Sequence, residues 1–123
     1  MASQSIERCV PLVITTGFPT VGPSLAEVGE RAVIDAIVAA SPSPINGDDA
    51  AVLTPSTPNS RVVAATDMLV EGRHFRADVT TPESVGRKAV IQNFADIEAM
   101  GARPIAALLA IAAPPTTPLS VVE

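Results

Sequence analysis

The sequence predicts an α+β domain, and three observations carry that prediction. Two segments combine helix-capping residues with helical stretches, short apolar runs bounded by turn residues read as strands, and the order is helix, strand, strand, helix, strand. The 123 residues fit one domain. A chain of this length buries roughly two-thirds of its unfolded surface. The hydrophobic fraction of 47% excludes a wholly disordered chain. With no Trp or Tyr and three Phe, the core must be built from Val, Ile, Leu and Ala. Such a core is thin unless another domain or subunit covers it.

Residues 1–23 carry no clear period, and Pro11, Pro19 and Pro23 interrupt them. They are expected to be a flexible N-terminal extension, with the domain itself over residues 24–123. Ser24-Leu25-Ala26-Glu27 has capping-box spacing, and a helix is expected to run to about Ala40. Leu25, Val33, Ile34, Ile37 and Val38 gather on one side of it. Ser41-Pro42-Ser43-Pro44 stops it. Residues 50–54 read as a short strand, 55–60 as a turn, and Arg61 to Thr66 as a second strand antiparallel to the first. Met68-Leu69-Val70 extends that strand. Thr80-Thr81-Pro82-Glu83 starts a second helix, which runs to about Met100, where Gly101 and Pro104 end it. Ile105 to Ala112 reads as a buried strand, and residues 119–123 as the start of a further helix.

The formal net charge of −5 argues against nucleic-acid binding through a basic surface. A phosphorylated ligand would therefore be met through metal ions. The single cysteine, Cys9, allows no intrachain disulfide and suits a reducing, cytoplasmic setting. No apolar run approaches the ~20 residues that span a bilayer, so no membrane partner is expected. Zinc does not suit a chain with one Cys and one His. The glycine-rich loops that cradle phosphates are absent from the sequence.

The chemistry concentrates in carboxylates. Asn46-Gly47-Asp48-Asp49 precedes a strand, Thr66-Asp67 lies at or near a strand end, and Asp96 lies within the second helix. Each sits among apolar or glycine neighbours, where a solvated charge has no evident reason to be. Two carboxylates ~4 Å apart repel by about 4 kcal/mol at an effective dielectric of 20. Hard divalent cations offset that repulsion, and Mg²⁺ also bridges carboxylates to phosphates. Bland alternatives exist for each member. Asp48-Asp49 is also turn chemistry, Asp67 a strand-end cap, and Asp96 a partner for Lys88 or Arg103. His74, beside Arg73, is either an ordinary surface histidine or a contact for a phosphate or a ring nitrogen.

Taken in order, Gly47-Asp48-Asp49-Ala50-Ala51-Val52, the stretch Thr66 to Phe75, Gly86-Arg87-Lys88-Ala89, and the stretch Gln92 to Pro104 resemble the thiamine-monophosphate kinases. The resemblance covers about residues 24–123. The Asp-x-x-Ala-Met-Gly-Ala helix end is shared with aminoimidazole ribonucleotide synthetase and selenophosphate synthetase, whereas Thr66 to Phe75 points to the thiamine enzyme. The resemblance implies the N-terminal domain of the aminoimidazole ribonucleotide synthetase-like fold, truncated, with a mixed or antiparallel sheet and its helices on one face.

It further implies transfer of the ATP γ-phosphoryl group to thiamine monophosphate through several Mg²⁺ ions. Asp49, Thr66, Asp67 and Asp96 would be metal ligands, His74 would contact thiamine monophosphate, and Asp48 would support its loop. A homodimer formed through the sheets is expected. Ala65 stands where the family has a hydroxyl residue, which weakens one metal site or leaves it to backbone. The sequence ends before the family's Gly-Gly-Asp motif, so the chain is expected to be a fragment that lacks the ATP contacts. The alternatives are another ATP-using member of the superfamily and a non-catalytic metal-binding, nucleotide-binding or dimerisation remnant.

Overall fold

The computed structural model describes residues 8–14, 18, 21–44, 53 and 57–123. Along the chain come β1 (Arg8–Val13), α1 (Leu25–Ala40), β2 (Ala65–Thr66), β3 (Leu69–Val70), α2 (Pro82–Ala99), β4 (Leu108–Ala112) and a 3₁₀ turn (Leu119–Val121). β1 is the hub of the sheet. β4 runs parallel to it from Cys9↔Leu108 to Val13↔Ala112. β2 pairs with β1 through Arg8↔Ala65 and Cys9↔Thr66, and β3 pairs with it through Leu12↔Leu69 and Val13↔Val70. A strand has two hydrogen-bonding edges, and β4 takes one of them over Cys9–Val13. β2 and β3 are therefore collinear halves of one strand on the other edge, interrupted at Asp67-Met68 with the register unchanged.

Two expectations about the sheet are corrected. The ladders are parallel, where a mixed or antiparallel sheet was expected. Among the described residues, antiparallel pairing is confined to the isolated bridge Ser24↔Pro118. The antiparallel pair expected between residues 50–54 and Arg61 to Thr66 lies, on its first side, outside the described residues apart from Leu53; in the ladders described, the segment between β1 and β2 includes α1, and that between β3 and β4 includes α2. Parallel neighbours need such long crossovers. The flexible extension expected over residues 1–23 does not hold for Arg8–Val13, which form β1. The strand sequence Arg-Cys-Val-Pro-Leu-Val shows no apolar/polar alternation, and Pro11 removes a ladder donor; together they hid it. The strand expected at residues 50–54 lies, apart from Leu53, outside the described residues.

α1 begins as its capping box requires. The Glu27 carboxylate accepts from the Ser24 N–H and from the Ser24 hydroxyl, both at 2.7 Å. The helix's other early donors are met by the turn after β4: Leu25 N–H donates to Thr117 O at 2.8 Å and Ala26 N–H to Pro115 O at 3.0 Å. Such bonds satisfy N–H groups that have no acceptor within the helix. At Gly29 the helix kinks, with φ 80° and ψ 162°. α2 is capped one residue later than its capping-box spacing suggested: the Thr81 hydroxyl accepts from Ser84 N–H at 3.3 Å, and Pro82 occupies the first turn.

The helices share one face of the sheet. Registered residues of parallel strands point to the same side, so Leu12, Leu69 and Ile111 form one face. α2 sets Val85 and Ala89 into the cluster that holds Leu69, with Leu12 packed against it. α1 turns Val33, Ile34 and Ile37 toward Leu109 and Ile111 across a cleft of about 680 Å³. No residue of α1 is fully buried. The stacked rings of Phe18 and Phe75, 5.9 Å apart, close one end of the core. β4 was expected to be buried, yet Leu108 is 43% and Leu109 53% exposed. Its apolar run found a ladder partner, but the cleft toward α1 leaves Leu109 open and Leu108, on the other face, is open too.

Candidate active site around Asp67

The interruption between β2 and β3 is where chemistry gathers. α2 carries a buried row one turn apart: Val85, Ala89, Asn93 and Ile97. Asn93 is its polar member, 1% exposed. Its side-chain oxygen accepts from the Asp67 N–H at 3.1 Å, and its amide donates to Ala89 O at 2.9 Å. The Asp67 main chain, which has no ladder partner at this break, is thus held by the helix.

The Asp67 carboxylate is tethered as well. Oδ1 accepts from the Met68 N–H at 3.2 Å, and Oδ2 accepts from the Gln92 side-chain amide. Each oxygen keeps acceptor capacity. Asp96 lies four residues beyond Gln92 on the same helical stripe, and its side chain is exposed. Its apolar sequence neighbour Ile97, fully buried, points to a different side of the helix. The apolar setting inferred for Asp96 from sequence is therefore corrected: helical spacing separates it from the core. Neither Lys88 nor Arg103 forms an ion pair with it; the ion pairs among described side chains that the geometry resolves are Arg31–Asp35 and Arg76–Asp78. Thr66 is exposed on β2, in register with Cys9. Asp48 and Asp49 lie outside the described residues.

His74 is exposed in the turn after β3. Gly72 N–H donates to Phe75 O at 2.8 Å, and His74 N–H donates to Val70 O at 2.8 Å. Gly72 supports this with φ 77°, a region that glycine adopts freely. The His74 ring nitrogen Nδ1 accepts from Val70 N–H at 3.0 Å, which leaves Nε2 pointing away from that bond. The Lys88 ammonium donates to His74 O. Lys88 and Gln92, one turn apart on α2, thus hold the turn with His74 and the break with Asp67. Ser84, Arg87 and Ile91 complete the lining of a shallow groove of about 350 Å³ along this side of the helix.

Hence the structure links Asp67 to α2, puts Asp96 a turn further along the same stripe, and ties His74 to the preceding turn. The ligand atoms that Thr66, Asp67 and Asp96 offer are hydroxyl and carboxylate oxygens. That chemistry fits a hard divalent cation that retains several waters. Among the described residues, no group of three His, Cys, Asp or Glu side chains converges into a closed metal site. The sequence reading missed the roles of Lys88, Gln92 and Asn93. An Asn in mid-helix, where its propensity is poor, was the available signal.

Comparison with known proteins follows the same residues. The model of the family described as AIR synthase related protein, N-terminal domain, matches residues 47–123. The chain is 60% identical over 102 residues to the thiamine-monophosphate kinase of Corynebacterium glutamicum, a match that covers 83% of this chain and 31% of the relative. It is 49% identical over 104 residues to that of Mycobacterium tuberculosis, covering 80% and 31%, and 41% identical over 97 residues to that of Synechococcus elongatus, covering 79% and 29%. The chain therefore spans about a third of the length of these relatives. No solved structure matches it.

Proposed function

The chain belongs to the AIR synthase related protein family through its N-terminal domain, and from that premise we propose that it is the metal-binding part of an enzyme that phosphorylates thiamine monophosphate with ATP. What carries the reading is the name of the relatives: the three proteins matched over about four-fifths of this chain are thiamine-monophosphate kinases. The tethered Asp67, with Asp96 on the same side of α2, supports it.

In this reading Asp49, Thr66, Asp67 and Asp96 are oxygen ligands of Mg²⁺. Bound Mg²⁺ would supply neutralisation of phosphate charge. An oxygen of the thiamine monophosphate phosphate attacks the ATP γ-phosphorus, the bond to the bridging oxygen breaks, and ADP leaves with that electron pair. The protein's work is positioning. Asp67 is held at both oxygens and at its main chain, so it needs little reorganisation to meet a cation. The groove along Lys88 and Gln92 runs past the turn that carries His74, which would contact thiamine monophosphate.

A homodimer is the proposed assembly. The face of β4 that presents Leu108 is open, as a face awaiting a partner would be. The proposed setting is the cytoplasm; among the described residues, no helix is long and apolar enough to cross a membrane. A second reading is a metal-binding, nucleotide-binding or dimerisation module without turnover.

Two measurements test the proposal. Calorimetry should show Mg²⁺ binding that weakens in Asp49→Asn and in Asp67→Asn; unchanged binding in both refutes the metal assignment. A coupled assay for thiamine diphosphate separates enzyme from module. Turnover by the purified chain establishes the kinase. Mg²⁺ binding without turnover favours the module.

A further inference from the structure

Resting on the metal reading above, we infer that Gln92 is a positioning residue, whose side-chain amide sets the direction in which Asp67 presents its carboxylate to a divalent cation. The argument starts from the break between β2 and β3. A residue at such a break lacks the ladder bonds that hold its neighbours. Three bonds replace them: Asn93 holds the Asp67 main-chain N–H, while Met68 N–H holds Oδ1 and the Gln92 amide holds Oδ2, so that two of the three restrain rotation of the carboxylate. Two of the three come from consecutive residues of α2, which Val85, Ala89 and Ile97 anchor in the core.

The chemistry of the donor matters. A lysine or arginine at position 92 would also hold Oδ2, but its charge would offset the carboxylate and compete with a cation. A neutral amide orients the oxygen while leaving the full negative charge on it. The three tethers leave acceptor capacity on both oxygens, which a cation needs.

The test is Mg²⁺ titration of the purified chain by calorimetry, with thermal unfolding run alongside. Gln92→Met keeps the side-chain length and a good helix former but removes the donor. The expected result is a Kd for Mg²⁺ about tenfold weaker, in line with losses on removing partners of metal ligands, with the Tm within about 2 °C of wild type. A Kd unchanged in Gln92→Met while Asp67→Asn weakens binding overturns the positioning role and leaves the metal site standing. A fall in Tm with the Kd unchanged overturns it too, because it marks Gln92 as structural. Absence of Mg²⁺ binding by the wild-type chain overturns the metal reading and this inference together.

Discussion

Asn93 offers the sharpest test of how α2 organises the site. Consider Asn93→Leu, which replaces a buried amide with an apolar side chain. The Asp67 N–H loses its acceptor at 3.1 Å. Leaving this part-buried donor unsatisfied costs about 1–3 kcal/mol. Ala89 O loses the amide at 2.9 Å, but it retains the helical bond from the Asn93 N–H, so this loss is worth about 0.5–1 kcal/mol. Placing Leu at a position 1% exposed recovers part of the sum through apolar burial. The net expectation is a destabilisation of about 2 kcal/mol. For a domain of this size that lowers the Tm by about 8 °C. Thermal unfolding followed by circular dichroism reads it directly. A variant whose Tm stays within about 1 °C of wild type refutes the claim that Asn93 holds the Asp67 main chain.

Leu69→Ala removes a side chain 1% exposed at the centre of the core and should cost about 2–5 kcal/mol, read as a shift in the urea midpoint. Gly29 combines φ 80° with ψ 162°, a region reserved almost wholly for glycine, so Gly29→Ala should cost about 1–3 kcal/mol; an unchanged midpoint would mean the helix runs straight through that position. The Ser24 N–H, then its hydroxyl, hold the Glu27 carboxyl below its ordinary value of 4.5. Because the folded value is the lower one, this contribution is present above pH 4.5 and is lost as pH falls through the folded value. Glu27→Gln should flatten the fall of Tm below about pH 4.5, and an identical slope in wild type and variant would show that the capping box does not form.

Local chemistry made the helices legible. Ser24 and Glu27 stand at the spacing of a capping box, and α1 runs from Leu25 to Ala40 as that spacing predicts. Thr80-Thr81-Pro82-Glu83 marks the start of α2 to within one residue, the cap falling on Thr81 where the spacing pointed to Thr80, because capping and proline preferences act within one turn. Gly101, with φ 72°, follows α2 as its ending requires. The strands fared differently. Arg8–Val13 carries proline and no alternation, and what makes it a strand is the presence of β4 on one edge and of β2 and β3 on the other. Its partners stand more than fifty residues away, and no local rule reports them. Asp67 was legible as a charge among apolar residues. Asp96 was singled out by the same sign for a poor reason, since its apolar neighbours face elsewhere.

The sequence by itself determined the α+β class, the reach of both helices and the residues worth suspecting, because caps, glycines and prolines act through bonds a few residues long. Tertiary structure alone decided that the ladders are parallel, that the strand breaks at Asp67, and that Gln92 and Asn93 rather than its sequence neighbours hold that aspartate. Those outcomes depend on which distant segments meet, and the free energy that selects them comes from burying Leu69, Val85 and Ile97 together with the bonds their packing brings within reach.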